Sequence, residues 1–135
     1  RHYAALASPV DGCQLLSTAH FDSLFKHTCD LPDQFLNANF PYGVATPRVL
    51  GYQRSTGDRN EFFYYGPGSR AIGHEGYGGS VGLVDPERKI ALGFTKTLLH
   101  SFIKDEVTGK LRAPKPVEIS KTRVTSAVFD ALADE

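Results

Sequence analysis

The segment Ser69–Thr97, SRAIGHEGYGGSVGLVDPERKIALGFTKT, constrains this chain more than any other. Gly73, Gly76, Gly78 and Gly79 fall within seven positions and offer points where the backbone can take positive φ or approach another group closely. Ser80 to Val84 is small and apolar, and Asp85-Pro86-Glu87-Arg88 has the composition of a turn, with proline presetting φ and aspartate able to bond its own downstream backbone. From Lys89 to Thr97 the residues alternate, Ile90, Leu92 and Phe94 on one side and Lys89, Ala91, Gly93 and Thr95 on the other. These signals predict a β meander. The glycines fit two readings, tight turns and bulges or a ligand held close to the backbone.

The run GHEGYGGSVGLVDPERKIALGF resembles the third to fifth strands of the serine β-lactamase and penicillin-binding-protein superfamily, nearest to class C β-lactamases, DD-peptidases and related esterases. In that family a KTG or HxG triad on an inner strand edges the active site, followed by small residues, an Asp-Pro turn and a last apolar strand. Here His74, Glu75 and Gly76 stand at the triad, Gly78, Gly79 and Ser80 follow, and Asp85-Pro86 make the turn. More loosely, YAALA at Tyr3–Ala7 resembles a helix end and GCQLLS at Gly12–Ser17 the link to the next helix, so the resemblance covers Tyr3 to Thr97. It implies an α+β fold: an antiparallel sheet, corresponding to the last three strands of a β-lactamase-like sheet, with N-terminal helices and a C-terminal helix on one face.

The resemblance also implies roles. His74 would contribute charge or a proton at an acyl-transfer site, since an imidazole holds either charge state near neutral pH. The Tyr77 amide would complete an oxyanion hole, and Glu75, Gly76 and Gly78 would border the substrate. Against these stands the plain alternative that His74 is a strand residue satisfied by its neighbours. Glu75 occupies the place of the family's threonine, where an ionised carboxylate would repel a substrate carboxylate, so a neutral or cationic ester or amide is expected. The family's SxxK nucleophile and its YxN or YxS motif are expected to be lacking from this chain, which alone would then be inactive. Thr97 replaces an asparagine that often ends the last strand.

Bulk properties narrow the classes. The 135 residues suit one domain with a real core, and 15 basic against 15 acidic residues give no electrostatic argument for nucleic acid or an anionic membrane. No apolar run approaches the roughly 20 residues of a membrane span, and no signal-peptide pattern opens the chain, so it reads as soluble, with its compartment unknown. The start at Arg1, the lack of methionine and the opening HYAALA lead to the expectation that this is part of a larger domain. Within 1–135 the expected organisation is helices and loop over 1–47, antiparallel strands over 48–97, a loop over 98–119 and a helix over 120–135.

Locally, Ser17 is placed to cap a helix running through Thr28, with Phe21, Leu24 and Phe25 on one face. Asp30 to Pro47 reads as a long irregular connection. Val49–Gln53 and Glu61–Tyr65 read as strands around a Gly57-Asp58 loop, with the FFYY run in the core rather than serving as a ligand platform. Ser120 can cap the last helix, whose Val124, Ala127, Val128, Ala131 and Leu132 form an apolar stripe. Cys13 and Cys29 would be buried free thiols, or a disulfide if their Cα atoms lie within about 7 Å. The scattered histidines give no metal site, and no cofactor is expected.

Two functions follow. The chain is the C-terminal portion of a β-lactamase-related serine hydrolase acting on a small ester or amide, or it is a noncatalytic module of that fold binding a protein or peptide. In either case the expected partner is a complementary N-terminal segment or a second copy joining an open strand edge.

Overall fold

The computed structural model describes residues 1–26, 28–29, 48–49, 51–76, 78–97, 103–112, 115 and 118–133. Two short helices open the chain, α1 (His2–Ala7) and α2 (Thr18–Leu24). Strands β1 (Thr28–Cys29), β2 (Arg48–Val49), β3 (Tyr52–Arg54), β4 (Ile72–Glu75), β5 (Val81–Asp85) and β6 (Ile90–Phe94) follow. A separate hairpin, β7 (Ile103–Lys104) and β8 (Leu111–Arg112), precedes the last helix, α3 (Ser120–Ala133). Strands β1 to β6 pair in chain order, each antiparallel to the next, so the sheet is one meander and the fold is α+β. No helix among the described residues is long and apolar enough to cross a membrane.

Local chemistry explains the elements. Asp11 and Gly12 both take positive φ, 51° and 77°, between Val10 and Cys13, whose backbones exchange both hydrogen bonds. This is the Asp-Gly arrangement of a tight two-residue turn, and it reverses the chain from α1 toward α2. Ser17 caps α2 as expected, accepting from the His20 N–H. The helix is shorter than the sequence implies, because Phe25 and Lys26 form a closing turn and Thr28–Cys29 pairs with β2 instead.

The expected strand Val49–Gln53 is broken by Gly51, at φ 91°, into the hairpin of β2 and β3. Glu61–Tyr65 is not a strand, yet Tyr64 and Tyr65 are buried as the core reading requires. The Asp85 carboxylate, fully buried, accepts from the N–H groups of Glu87 and Arg88 at 3.0 and 3.1 Å and from the Arg88 guanidinium at 3.0 Å, which fixes the β5–β6 turn. The stretch 98–119, expected as a loop, contains the β7–β8 hairpin, turned at Gly109 with φ 68°. Asp30–Pro47 lies outside the described residues. Cys13 is a free, exposed thiol, which corrects both the disulfide and the buried-thiol expectation for that residue.

The sheet is sandwiched between two helical layers. On one face Ile72, Val84 and Val49 pack with Leu6 of α1 and with Phe21 and Leu24 of α2. On the other, Val81, Leu83, Ala71 and Tyr65 pack with Phe129 of α3, flanked by Ile90, Leu92 and Phe94. The inward face of α3 corrects the expected stripe. Its buried residues are Lys121, Thr122, Thr125 and Phe129, while Ala127, Ala131 and Leu132 face solvent. A polar face turns inward because Lys121 has a charged partner beneath it and Phe129 covers Gly66, where an added Cβ would come within 2.6 Å of the ring.

Two glycines of the meander serve close packing. A Cβ at Gly73 would stand 2.6 Å from the Gly82 carbonyl oxygen and 2.9 Å from the Tyr65 ring, and one at Gly82 would collide with the Tyr3 ring of α1. The exposed Gly93 on β6 has nothing within 4 Å of such an atom. Gly73→Ala is therefore expected to destabilise the chain by about 2 kcal/mol or more through overpacking, and Gly93→Ala to be neutral or mildly stabilising. Urea denaturation of the two variants checks this, and equal midpoints would contradict it.

Candidate functional site

His74 sits on β4, paired with Gly82 of β5, and its side chain is exposed to solvent. Strand alternation places it on the face of Ile72, the side covered by α1 and α2. The imidazole Nδ1 lies 2.8 Å from the Glu75 carbonyl oxygen, a local contact that leaves Nε2 without a partner among the described residues. Tyr3 lies over Gly82, the cross-strand partner of His74, and so beside the histidine. Burial raises the Tyr3 pKa, with Tyr52 adding to the rise and a hydrogen bond with the His74 backbone opposing it. Its phenol is thus a neutral donor rather than a base. Tyr3 belongs to an aromatic group with His2 and Tyr52, whose ring centroids lie 5.3 and 6.1 Å from its own. No sequence motif marks Tyr3; only the close approach at Gly82 brings it to His74.

Glu75 points the other way. Its carboxylate lies 2.5 Å from Nζ of Lys121, a fully buried residue on α3. The same amine donates to the Phe62 carbonyl at 2.5 Å and lies 5.0 Å from the Tyr65 ring centroid. Tyr65 in turn donates to the Gln53 side-chain oxygen, which also accepts from the Glu75 N–H at 3.4 Å. The repulsion of a substrate carboxylate expected from Glu75 therefore has no free anion behind it: Lys121 pairs the charge, on the face opposite His74.

The remaining candidates make the β4–β5 connection. Gly76 donates to the Ser80 carbonyl at 2.8 Å and accepts from the Gly79 N–H at 3.0 Å, and Gly78 and Gly79 take φ near 100°. Gly76 is exposed and Gly78 half-buried, so backbone is accessible beside the end of β4. Tyr77, assigned the oxyanion-hole amide, lies outside the described residues.

Acyl transfer also needs a nucleophile. The expectation that SxxK is lacking is corrected by Ser23-Leu24-Phe25-Lys26 and Ser101-Phe102-Ile103-Lys104, which both have that spacing. Ser23 stands near the end of α2 and donates its hydroxyl proton to the His20 carbonyl at 2.7 Å, and no hydrogen bond joins it to the exposed Lys26 ammonium. With its proton committed to a carbonyl and no base at hand, Ser23 is not activated. Ser101 lies outside the described residues. Ser17 Oγ lies 2.9 Å from His20 Nδ1, but this serine is the N-cap of α2 and the contact belongs to the cap. YxN and YxS do not occur. Among the described residues no group of His, Cys, Asp and Glu gathers to hold a metal ion.

The Lys121 pKa is lowered first by burial, while the charge of Glu75 and its hydrogen bond oppose that shift. Between the lowered value and the ordinary 10.5 the unfolded chain binds more protons than the folded one, so through this group stability rises with pH. Removing Glu75 lowers the pKa further and widens the window. Glu75→Gln is expected to cost about 3 kcal/mol near neutral pH, with the deficit shrinking as pH rises toward 10.5. The double variant Glu75→Gln, Lys121→Met recovers most of the loss. Urea melts at two pH values check this; a deficit that does not change with pH would refute it.

No family model, curated protein or solved structure matches this chain.

Proposed function

We propose that the chain forms one wall of an acyl-transfer cleft of the β-lactamase-related kind, acting on a small ester or amide. His74 supplies the charge or proton, and the nucleophile comes from outside the groups described above. The observation that carries this reading is the exposure of the His74 imidazole at the end of an antiparallel strand, immediately before a glycine turn with accessible backbone. The neutral Tyr3 phenol beside it is a second proton donor in reach of that face. Histidine suits the task because it can accept a proton in one step and return it in the next.

A second reading, a noncatalytic module binding an extended protein or peptide segment, is favoured by two observations. Ser23 is not activated, and β6 ends the sheet, so its outward backbone groups have no strand partner among the described residues. Such an edge is a template for strand addition by another segment or a second copy.

A fluorophosphonate probe and a short-chain nitrophenyl ester, applied to the chain joined to the segment that supplies the nucleophile, separate the two. The acyl-transfer reading expects covalent labelling and a loss of about 100-fold in kcat/KM for His74→Ala, with the fold retained by circular dichroism. Absence of labelling and of ester turnover sinks it. Concentration-dependent sedimentation in that case supports association along β6.

A further inference from the structure

A cleft of about 320 Å³ lies between α2 and the β3–β4 region, lined by Asp22, Phe25, Arg54, Ser69 and Arg70. Its charges do not balance. The Arg70 guanidinium bonds the Asp22 carboxylate and stacks near Phe21 and Phe25, 5.8 and 5.3 Å from the ring centroids. That pairing occupies the only carboxylate among the described lining residues. Arg54 is left half-buried, with no ion pair to any described residue and with its Nε removed from solvent and lacking any hydrogen-bond partner. The buried Nε is closed to a ligand as well as to water, but the two terminal nitrogens of Arg54 are neither closed off nor bonded to a described residue, and their planar pair matches two oxygens of a carboxylate or phosphate. Ser69, exposed at the cleft, adds a hydroxyl to its lining, and Phe25 offers an apolar wall beside these donors.

We propose that this cleft binds a small organic oxyanion, a carboxylate or a phosphate monoester, with Arg54 as the bidentate anchor, Arg70 as the second cation and the organic part against Phe25. The register adds a positional argument. Arg54 pairs with Ile72, two residues before His74, so the cleft opens on the same face of the sheet as the histidine. The binding site does not depend on the acyl-transfer reading, which concerns covalent chemistry at His74.

Benzoate, phenyl phosphate and inorganic phosphate are the probes, followed by the ¹⁵N–¹H signal of Arg54 Nε and by calorimetry on the whole chain. Saturable binding with a shift of that signal is expected. Arg54→Gln should weaken it about tenfold or more, Arg54→Lys should restore it only in part, and Arg59→Gln, on the distant Arg59–Asp130 pair, should leave it unchanged. Stronger binding of benzoate than of the phosphates assigns a carboxylate, and the reverse assigns a phosphate. An Arg54 signal unmoved by all three probes overturns the proposal, whether or not the variants fold, as does equal binding by a folded Arg54→Gln.

Discussion

A lysine ammonium held away from water beneath a sheet needs a counter-charge and acceptors, and Lys121 finds both. Its contacts join three parts of the chain that are remote in sequence: α3, the Phe62–Tyr65 segment and the end of β4. Gln53 and Tyr65 extend the connection into β3. Removing one partner would strand a charge in a low-dielectric interior, at a cost of about 3–5 kcal/mol, whereas removing both is commonly close to neutral. The pair thus fixes where α3 docks more than it adds to stability, and that docking determines which face of β4 is left for His74.

The two faces of β4 divide the roles. Gly73 and Glu75 look toward α3, where the strand is pressed by Tyr65 and tied by Lys121. Ile72 and His74 look toward α1 and α2, where Ile72 closes the core and the histidine emerges beyond it into solvent. The aromatic residues close this arrangement. Tyr3 fits over Gly82 because glycine has no Cβ, and it thereby stands beside His74. Arg54, across from Ile72, brings to the same face a guanidinium without an ion pair among the described residues. The buried ion pair of Glu75 and Lys121 thus lies on the α3 side of the sheet, while His74, Arg54 and the solvent-accessible Arg70–Asp22 pair lie on the side of α1 and α2.

The meander was legible because its signals are local: alternation in β6, small residues in β5 and an Asp-Pro turn whose carboxylate bonds the next backbone amides. The burial of Tyr64 and Tyr65 was legible too, from apolar composition. The α3 stripe was not. Periodicity weighed Val124, Ala127, Val128, Ala131 and Leu132 by hydropathy, and the helix turned on Lys121, Thr125 and Phe129 because a distant carboxylate and a distant glycine receive them. The four-residue Ser-x-x-Lys spacing at Ser23 is the opposite case, a pattern present in the letters whose chemistry the helix cancels by giving the hydroxyl proton to His20.

From its letters alone this chain determined an antiparallel meander with helices on either side of it in sequence, because period-two alternation, glycine and aspartate-proline turns act through neighbours a few residues apart. Which residues share a site was decided only by tertiary structure. The pairing of Glu75 with Lys121, the seat of Tyr3 over Gly82 and the isolation of the Arg54 Nε join positions separated by tens of residues, and their energies depend on burial, which no local pattern encodes.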